Sequence, residues 1–175
     1  MTKLETKTLY KLDVLKGVSK LHLTGLESAI LEKQDHISKD IAGDTFALPE
    51  NVLINQILNE MIVGFKSTVG RDITVANGWS HIHYINMSTN LHDHYPCDLS
   101  SIFYLSVPQG SGNLVFYPNW FNHKRQNAIE IKPVEKEFYI FPATLDHAVK
   151  RHRSHKPRIS IVFNFNYLNL SLIHI

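Results

Sequence analysis

The segment RISIVFNFN, residues 158–166, is built from β-branched and aromatic residues and is the clearest strand in the chain. Six other segments of the same kind precede it after Gly70, and Gly, Pro and Asn turn signals separate them. Because these segments follow one another without helices between them, the pattern predicts an all-β sandwich or barrel and argues against β-α-β units.

Helical spacing of apolar residues dominates the region before Gly70. Thr24 is placed to cap a first helix over TGLESAILEKQDHIS, and a second helix is predicted to begin near Pro49 and to run to Phe65. The apolar residues of the second helix form one stripe, which predicts packing against a core. These are Leu53, Ile54, Ile57, Leu58, Met61 and Phe65.

The two patterns together predict a mainly β fold. We expect a double-stranded β-helix (jelly roll) with two buttressing N-terminal helices, organised as a single domain over residues 1–175. The helical support is expected over residues 20–66 and the β core over residues 70–170.

Composition excludes several classes of protein. The 175 residues are 43% hydrophobic and 19% charged, which is too apolar for a disordered chain. A net charge of +2 provides no strong attraction to nucleic acid or to an acidic membrane. The single cysteine, Cys97, excludes an internal disulfide and a cysteine-based zinc site.

No stretch of the chain approaches 18 consecutive apolar residues, so no membrane span is expected. The first residues are charged and lack an apolar core, which argues against a signal peptide. The expected location is the cytoplasm, and a phage-encoded protein in a host cytoplasm would have the same features.

Eleven histidines are an unusually large number for this length, and they cluster after residue 80. If the segment NLHDHYP is extended, His92 and His94 point to one face while Asp93 points to the other. Two imidazoles on one face suit a first-row metal, and a third ligand must then come from a distant strand. His147, which follows the strand EFYIFP and a short turn, is the best candidate.

Arg158 and Ser160 share one face of the last strand. A guanidinium with a neighbouring hydroxyl is suited to bind a carboxylate in a bidentate manner. Because most of this strand is apolar, an unpaired arginine there would be costly, and a bound anion is a reasonable partner.

The other histidines and Trp79 are given ordinary structural interpretations. His81 and His83 share a face opposite Tyr84, and an exposed ring is expected for His83, with a supporting role behind the metal ligands as the alternative. His152 belongs to the basic segment 150–158, which is expected to be a solvated loop. Trp79 is expected to pack at the sheet edge.

Taken together, these residues resemble the Fe(II)/2-oxoglutarate-dependent oxygenases. The chain is most similar to the small prolyl-4-hydroxylase-like group of bacteria and phages, over about residues 79–166. The resemblance is carried by His92, His94, His147, Arg158-x-Ser160, FYL at 103–105, GSGNLVF at 110–116 and IKPVEKEFYIFP at 131–142.

The resemblance implies roles for individual residues. His92 and His147 would be the two histidine ligands of Fe(II), and Arg158 would bind the distal carboxylate of 2-oxoglutarate. Four further residues would line the co-substrate pocket: Ser160, Tyr104 (as a second hydroxyl donor), Tyr84 and Asn164. Fe(II) and 2-oxoglutarate are the implied cofactors, with ascorbate as a candidate additional reductant.

The chain departs from the family at the third ligand. The usual triad is two histidines and one carboxylate in the order His-x-Asp, whereas the second residue after His92 is His94. Alternation favours His94 as the ligand. A local bulge could instead bring Asp93 to the metal, and Asp98 is a more remote candidate. These alternatives stay open at the level of sequence.

The leading functional hypothesis is a non-haem iron dioxygenase that couples oxidative decarboxylation of 2-oxoglutarate to hydroxylation of a substrate. The alternatives are a cupin-like three-histidine dioxygenase without a keto acid and a non-enzymatic, virion-associated metal-binding β-domain. The co-substrate is a small molecule, while the substrate (peptide, nucleotide or small molecule) and homo-oligomer formation stay open. Loops at 95–100 and 119–126 are the expected substrate surface.

Overall fold

The computed structural model describes residues 12–33, 36–40, 43–118 and 128–168, which form two helices and eleven strands. The elements are β1 (Leu15–Val18), α1 (Leu26–Glu32), β2 (His36–Asp40), β3 (Gly43–Phe46), α2 (Val52–Val69), β4 (Ile73–His83), β5 (Thr89–His92), β6 (Leu99–Ser106), β7 (Leu114–Phe116), β8 (Ile129–Ile131), β9 (Glu137–Pro142), β10 (His147–Val149) and β11 (Arg158–Tyr167).

The strands form two antiparallel sheets. The larger sheet has the order β1-β9-β6-β11-β4-β3-β2, and the smaller has the order β5-β10-β7-β8. Side chains of β6 and β9 pack against side chains of β7 and β10 in one hydrophobic cluster, so the two sheets face each other. This architecture confirms the predicted mainly β fold with two helices.

The side chains of strand β11 alternate between the two faces of the larger sheet. Its side chains at positions 159, 161, 163 and 165 belong to the hydrophobic core that also contains Ile57, Met61 and Phe65 of α2. Because side chains alternate along a strand, positions 158, 160, 162 and 164 point toward the smaller sheet. Three of those four residues are polar, and all are buried. The space between the sheets therefore has a polar wall.

The second helix begins later than predicted. Asn51 caps α2 by accepting a hydrogen bond from the backbone N–H of Leu53 at 2.9 Å, so Pro49 lies before the helix. Gly70 ends the helix in the left-handed conformation, with φ 76°. In the part of the chain that the structure describes, no helix is long and apolar enough to cross a membrane.

The apolar stripe of α2 packs as predicted. Four of its six members are buried in the core and two are partly buried against it. The buried members are Ile54, Ile57, Met61 and Phe65, and the partly buried ones are Leu53 and Leu58.

The prediction for the first helix is wrong at both ends. Gly25 occupies the N-cap position with φ 82° and no side chain caps α1, so Thr24 does not have the predicted role. At the other end, residues 36–40 form β2 and pair with β3. The expected helical support over residues 20–66 therefore contains a hairpin, and β1 also precedes it. Apolar spacing matched a helix, but pairing of β2 with the adjacent β3, which itself pairs with β4, decided the structure.

A glycine in the loop before β7 is required by close backbone packing. A Cβ added at Gly112 would lie 1.7 Å from the carbonyl oxygen of Lys150. We expect Gly112→Ala to lower the free energy of unfolding by at least about 2 kcal/mol, because the backbone must move to relieve the clash. Gly64→Ala is the control, since nothing lies within 4 Å of its added Cβ in α2. It should stabilise the fold by up to about 1 kcal/mol. Urea unfolding measures both, and equal midpoints would contradict the expectation.

Candidate metal centre and co-substrate pocket

Three histidines converge between the two sheets at the end of the smaller sheet. Antiparallel pairing of β5 with β10 places His92 directly opposite His147. His94 follows two residues later, where its backbone N–H donates to the carbonyl of Ala143 at 2.8 Å. One ring nitrogen from each of the three histidines lies within 4.8 Å of the others. The Nε2 atoms of His94 and His147 are 3.2 Å apart.

Backbone carbonyls determine which ring nitrogen is free in two of these histidines. Nδ1 of His92 lies 2.8 Å from the carbonyl of Asn90, and Nδ1 of His147 lies 2.8 Å from the carbonyl of Leu145. A carbonyl oxygen only accepts, so both Nδ1 atoms carry the proton and both Nε2 atoms keep a lone pair. Such carbonyl contacts also hold a metal-binding imidazole in its orientation. The arrangement fits a bound cation.

The imidazoles of His94 and His147 are held in their neutral form. Burial lowers the pKa of His147 to about 3, and the nearby ring of His92 contributes in the same direction. Burial likewise lowers the pKa of His94 to about 4, again with a contribution from His92. Because a metal binds the neutral imidazole, these rings are ready to bind a metal at neutral pH.

The two carboxylates considered from sequence point elsewhere. The Oδ1 atom of Asp93 accepts a hydrogen bond from the backbone N–H of Tyr95 at 3.1 Å. The Oδ2 atom of Asp98 accepts one from the backbone N–H of Tyr167 at 2.8 Å. Within the described ranges, neither carboxylate belongs to the histidine cluster. The structure brings His94 to the cluster, as alternation along the strand predicts.

A buried arginine lies on the opposing sheet. Arg158 begins β11 and is fully buried, and its Nη1 lies 3.1 Å from Nδ1 of His83. Its Nε and Nη2 atoms are buried without a hydrogen-bond partner. The hydroxyl of Tyr104 is also buried and without a partner, and the Arg158 Cζ lies 5.1 Å from the centre of the Tyr104 ring. Three polar groups in one pocket therefore lack an acceptor.

These groups suit a carboxylate. Burial raises the pKa of Tyr104 to about 12, so its hydroxyl keeps the proton and donates at neutral pH. The Nε and Nη2 atoms of an arginine form the parallel pair of donors that a carboxylate accepts in a bidentate manner. Burial disfavours the charged form of Arg158 and lowers its pKa, so an anion beside it would be stabilising.

The other predicted pocket residues divide into two groups. Ser160 and Asn164 lie on the same face of β11 as Arg158. The Ser160 hydroxyl donates to the carbonyl of His81 at 3.5 Å. The Asn164 amide nitrogen donates to the side-chain oxygen of Asn77 at 3.0 Å, while its own oxygen has no partner. Tyr84 follows the end of β4 and is 40% exposed, so the structure leaves it at the surface.

Three expectations about neighbouring side chains are wrong. His83 is fully buried, although an exposed ring was expected. His152 is also fully buried, and its Nε2 lies 2.8 Å from the carbonyl of Lys156. Trp79 packs with its ring centre 5.6 Å from that of His94, and its strand β4 lies inside the larger sheet. Side chains alternate along β4, so His83 and Trp79 share a face, but which residue each one meets depends on strand register.

Of the two loops expected to bind substrate, the structure describes the one over residues 95–100. Tyr95, next to His94, is 77% exposed and lies at the surface beside the histidine cluster. The segment 119–126 lies outside the described residues.

The neutral state of His83 predicts a dependence of stability on pH. Burial lowers the pKa of His83 far below its ordinary value of 6.5, and His81, Arg158 and His152 act in the same direction. Below pH 6.5 the unfolded chain therefore takes up a proton that the folded chain does not. The free energy of unfolding should fall by roughly 2 kcal/mol from this group between pH 6.5 and about pH 4.5.

Urea unfolding of the metal-free protein across this pH range measures the effect. The control is His83→Asn, which cannot be protonated, so that its stability should fall less steeply on acidification than that of the wild type. If the free energy of unfolding depends on pH in the same way for the two proteins, His83 is not held neutral.

The family described as "Putative 2OG-Fe(II) oxygenase" matches residues 77–164, half of the chain. The chain belongs to the 2OG-Fe(II) oxygenase family. The matched segment contains the three clustered histidines and the buried arginine. Membership of this family agrees with the resemblance of the site residues, whose implied cofactors are iron and 2-oxoglutarate. The assignment favours this enzyme class over the cupin-like dioxygenase and over the non-enzymatic metal-binding domain.

Solved structures of such oxygenases share the fold. HygX from Streptomyces hygroscopicus, solved with nickel and 2-oxoglutarate bound, has a TM-score of 0.69 at 12% identity, covering 87% of this chain and 82% of that one. A prolyl-4-hydroxylase from Pseudomonas putida has a TM-score of 0.62 at 10% identity, covering 87% and 91%.

A 2OG-Fe(II) oxygenase family oxidoreductase from Burkholderia pseudomallei has a TM-score of 0.56 at 16% identity, covering 75% of this chain. The chain spans 64% of the length of that protein. No curated protein sequence matches the chain. At these identities the solved structures show the fold alone, and they establish the jelly roll.

Proposed function

We propose that the protein hydroxylates a substrate at an Fe(II) centre held by His92, His94 and His147. In this proposal Arg158 and Tyr104 bind the distal carboxylate of 2-oxoglutarate. The observation that carries the proposal is the set of buried, unpartnered groups opposite the histidines: Nε and Nη2 of Arg158 and the hydroxyl of Tyr104. A dicarboxylic keto acid supplies the missing acceptor oxygens at one end and a metal-chelating group at the other.

Each part of the site has a separate task. Fe(II), when bound, supplies the oxygen activation that drives decarboxylation of the keto acid and oxidation of a substrate C–H bond. The three histidines would hold the metal through one ring nitrogen each and would leave room for the co-substrate. Arg158 and Tyr104 hold the far end of the co-substrate, which orients its keto group. The rings of Trp79 and Phe141, with centres 5.6 Å and 5.0 Å from those of His94 and His147, keep water from the site.

The three-histidine set changes the charge of the centre. Three neutral imidazoles leave the full charge of the metal uncompensated, whereas a carboxylate ligand would remove one unit. The adjacent guanidinium of Arg158 adds another positive charge. The dianion of 2-oxoglutarate would therefore enter a strongly electropositive pocket and would offset two of its three positive charges.

We include Ser160 and Asn164 in the co-substrate pocket, because both share the inner face of β11 with Arg158. Tyr84 is left out of it, because its side chain is exposed beyond the end of β4.

The remaining proposals concern the setting in which the enzyme works. We propose the cytoplasm, where Fe(II) and 2-oxoglutarate are both available, and leave peptide, nucleotide and small-molecule substrates as the classes to screen. Size-exclusion chromatography tests whether copies of the chain associate.

Release of succinate tests the proposed function without a known substrate. Oxygenases of this class turn over 2-oxoglutarate slowly in the absence of substrate, so protein with Fe(II), 2-oxoglutarate and ascorbate should release succinate under air and none under nitrogen. Replacement of Fe(II) by Zn²⁺, which has no redox chemistry, is the matched control. Failure of the Fe(II)-loaded protein both to bind 2-oxoglutarate and to release succinate would reject the proposal.

A further inference from the structure

Hydrogen-bond contacts link three buried side chains, one each from β5, β4 and β11. Nε2 of His83 lies 2.8 Å from Oγ1 of Thr89, and Nδ1 of His83 lies 3.1 Å from Nη1 of Arg158. His83 and Arg158 are both fully buried, and they are opposite each other in the register of β4 and β11. These contacts therefore connect the smaller sheet to Arg158 through the imidazole of His83.

The chemistry of the three groups determines the direction of each hydrogen bond. A guanidinium only donates, so Nδ1 of His83 must accept from Arg158 and cannot carry a proton. The proton of the neutral ring then lies on Nε2, which donates to the hydroxyl oxygen of Thr89. Both ring nitrogens of His83 are therefore used, and its plane is held at two points.

This contact leaves one edge of Arg158 available. With Nη1 engaged by His83, the partnerless atoms of the guanidinium are Nε and Nη2. Those two atoms form the edge that donates two parallel hydrogen bonds to a carboxylate. A free arginine side chain could present either this edge or the Nη1–Nη2 edge, so the contact with His83 selects between them.

We propose that His83 is a positioning residue that holds the Nε–Nη2 edge of Arg158 toward the distal carboxylate of 2-oxoglutarate, with Thr89 fixing the orientation of His83. This inference rests on the proposed function of Arg158. A neutral imidazole is suited to the task because it accepts from the guanidinium without neutralising it. An aspartate or glutamate in the same place would compete with the co-substrate for the positive charge.

The test compares variants that differ in one acceptor atom. His83→Leu removes the acceptor, whereas His83→Asn keeps an acceptor oxygen near the position of Nδ1. Thr89→Val removes the group that orients the ring. His152→Leu is the matched control, because His152 is an equally buried histidine whose Nε2 contacts the carbonyl of Lys156.

Two measurements separate positioning from general loosening of the fold. Succinate release at varied 2-oxoglutarate gives KM and kcat, and anaerobic titration of the Fe(II)-loaded protein gives the dissociation constant from the visible charge-transfer absorption of the chelated keto acid. We expect His83→Leu to raise KM and the dissociation constant roughly 10- to 100-fold, with kcat within about threefold of wild type. His83→Asn should recover most of this loss, and Thr89→Val should raise KM by roughly three- to tenfold.

The outcomes distinguish the inference from the proposed function. If the wild type binds 2-oxoglutarate and both His83→Leu and Thr89→Val leave KM unchanged, the positioning role is wrong while the proposed function stands. An equal rise of KM in His83→Leu, His83→Asn and His152→Leu also overturns it, since any disturbance would then suffice. If His83→Leu does not fold, a raised KM in Thr89→Val together with a KM near that of wild type in His83→Asn supports the positioning role. An unchanged KM in Thr89→Val then overturns it. A wild type that does not bind 2-oxoglutarate overturns both proposals.

Discussion

The His94→Ala variant is expected to lose at least about 100-fold in affinity for Fe(II), while Asp93→Asn retains the wild-type affinity. In the structure the ring of His94 joins those of His92 and His147, whereas Asp93 accepts a hydrogen bond from the backbone of Tyr95. Removal of one of three ligands leaves two imidazoles, which bind a first-row metal weakly. Anaerobic calorimetric titration with Fe(II), repeated with Mn²⁺ as a redox-stable substitute, measures the affinities.

A third variant makes the comparison sharper. His94→Asp replaces the imidazole by the carboxylate that the usual triad has at this position, and it should bind Fe(II) more tightly than His94→Ala. Thermal unfolding of the metal-free variants controls for loss of fold. The reverse result, weak binding by Asp93→Asn and unchanged binding by His94→Ala, would show that a bulge brings the carboxylate of Asp93 to the metal.

The second large effect is expected at the arginine. Arg158→Lys should weaken 2-oxoglutarate binding by roughly 100-fold and leave Fe(II) affinity within about threefold of wild type. A lysine keeps the positive charge but has no pair of parallel donors, and its ammonium would lie elsewhere in the pocket. The anaerobic titration with 2-oxoglutarate described for the His83 variants measures this loss, and calorimetric titration with Fe(II) measures the metal affinity.

A keto acid without the distal carboxylate provides the control for this prediction. The wild type should prefer 2-oxoglutarate strongly over 2-oxopentanoate, which has the same chain length but no second carboxylate. An Arg158→Met variant should show little preference, because the group that recognises the difference has been removed. An unchanged preference in Arg158→Met would place the carboxylate site elsewhere.

Much of the site could be predicted from local sequence. Alternation along an extended segment put His92 and His94 on one face and Asp93 on the other, and the structure has the same arrangement. The apolar surroundings of Arg158 indicated that its charge needs a partner, and its burial with two unpartnered nitrogens agrees with that reasoning. Both inferences depend only on neighbours within a few residues, where strand geometry is regular.

Prediction was wrong where a residue's environment comes from distant parts of the chain. His83 was expected to be exposed, but β11 places Arg158 opposite it from 75 residues away. The expected helix around Ile37 became β2, because pairing with β3, which itself pairs with the more distant β4, outweighed helical spacing. The backbone of His152 pairs with that of Asn86 and Met87, more than 60 residues away, and no periodic pattern signals this contact.

Sequence by itself determined the class of the fold and the two faces of its strands, because the period of apolar residues is a local property of the chain. It also determined which side chains were chemically able to bind a metal and a carboxylate. The tertiary structure alone decided that His147 meets His92, that His83 engages Arg158 and that Trp79 covers His94. Those contacts follow from strand register, which depends on the packing of both sheets at once, and a shift by one residue would turn each of these side chains to the opposite face.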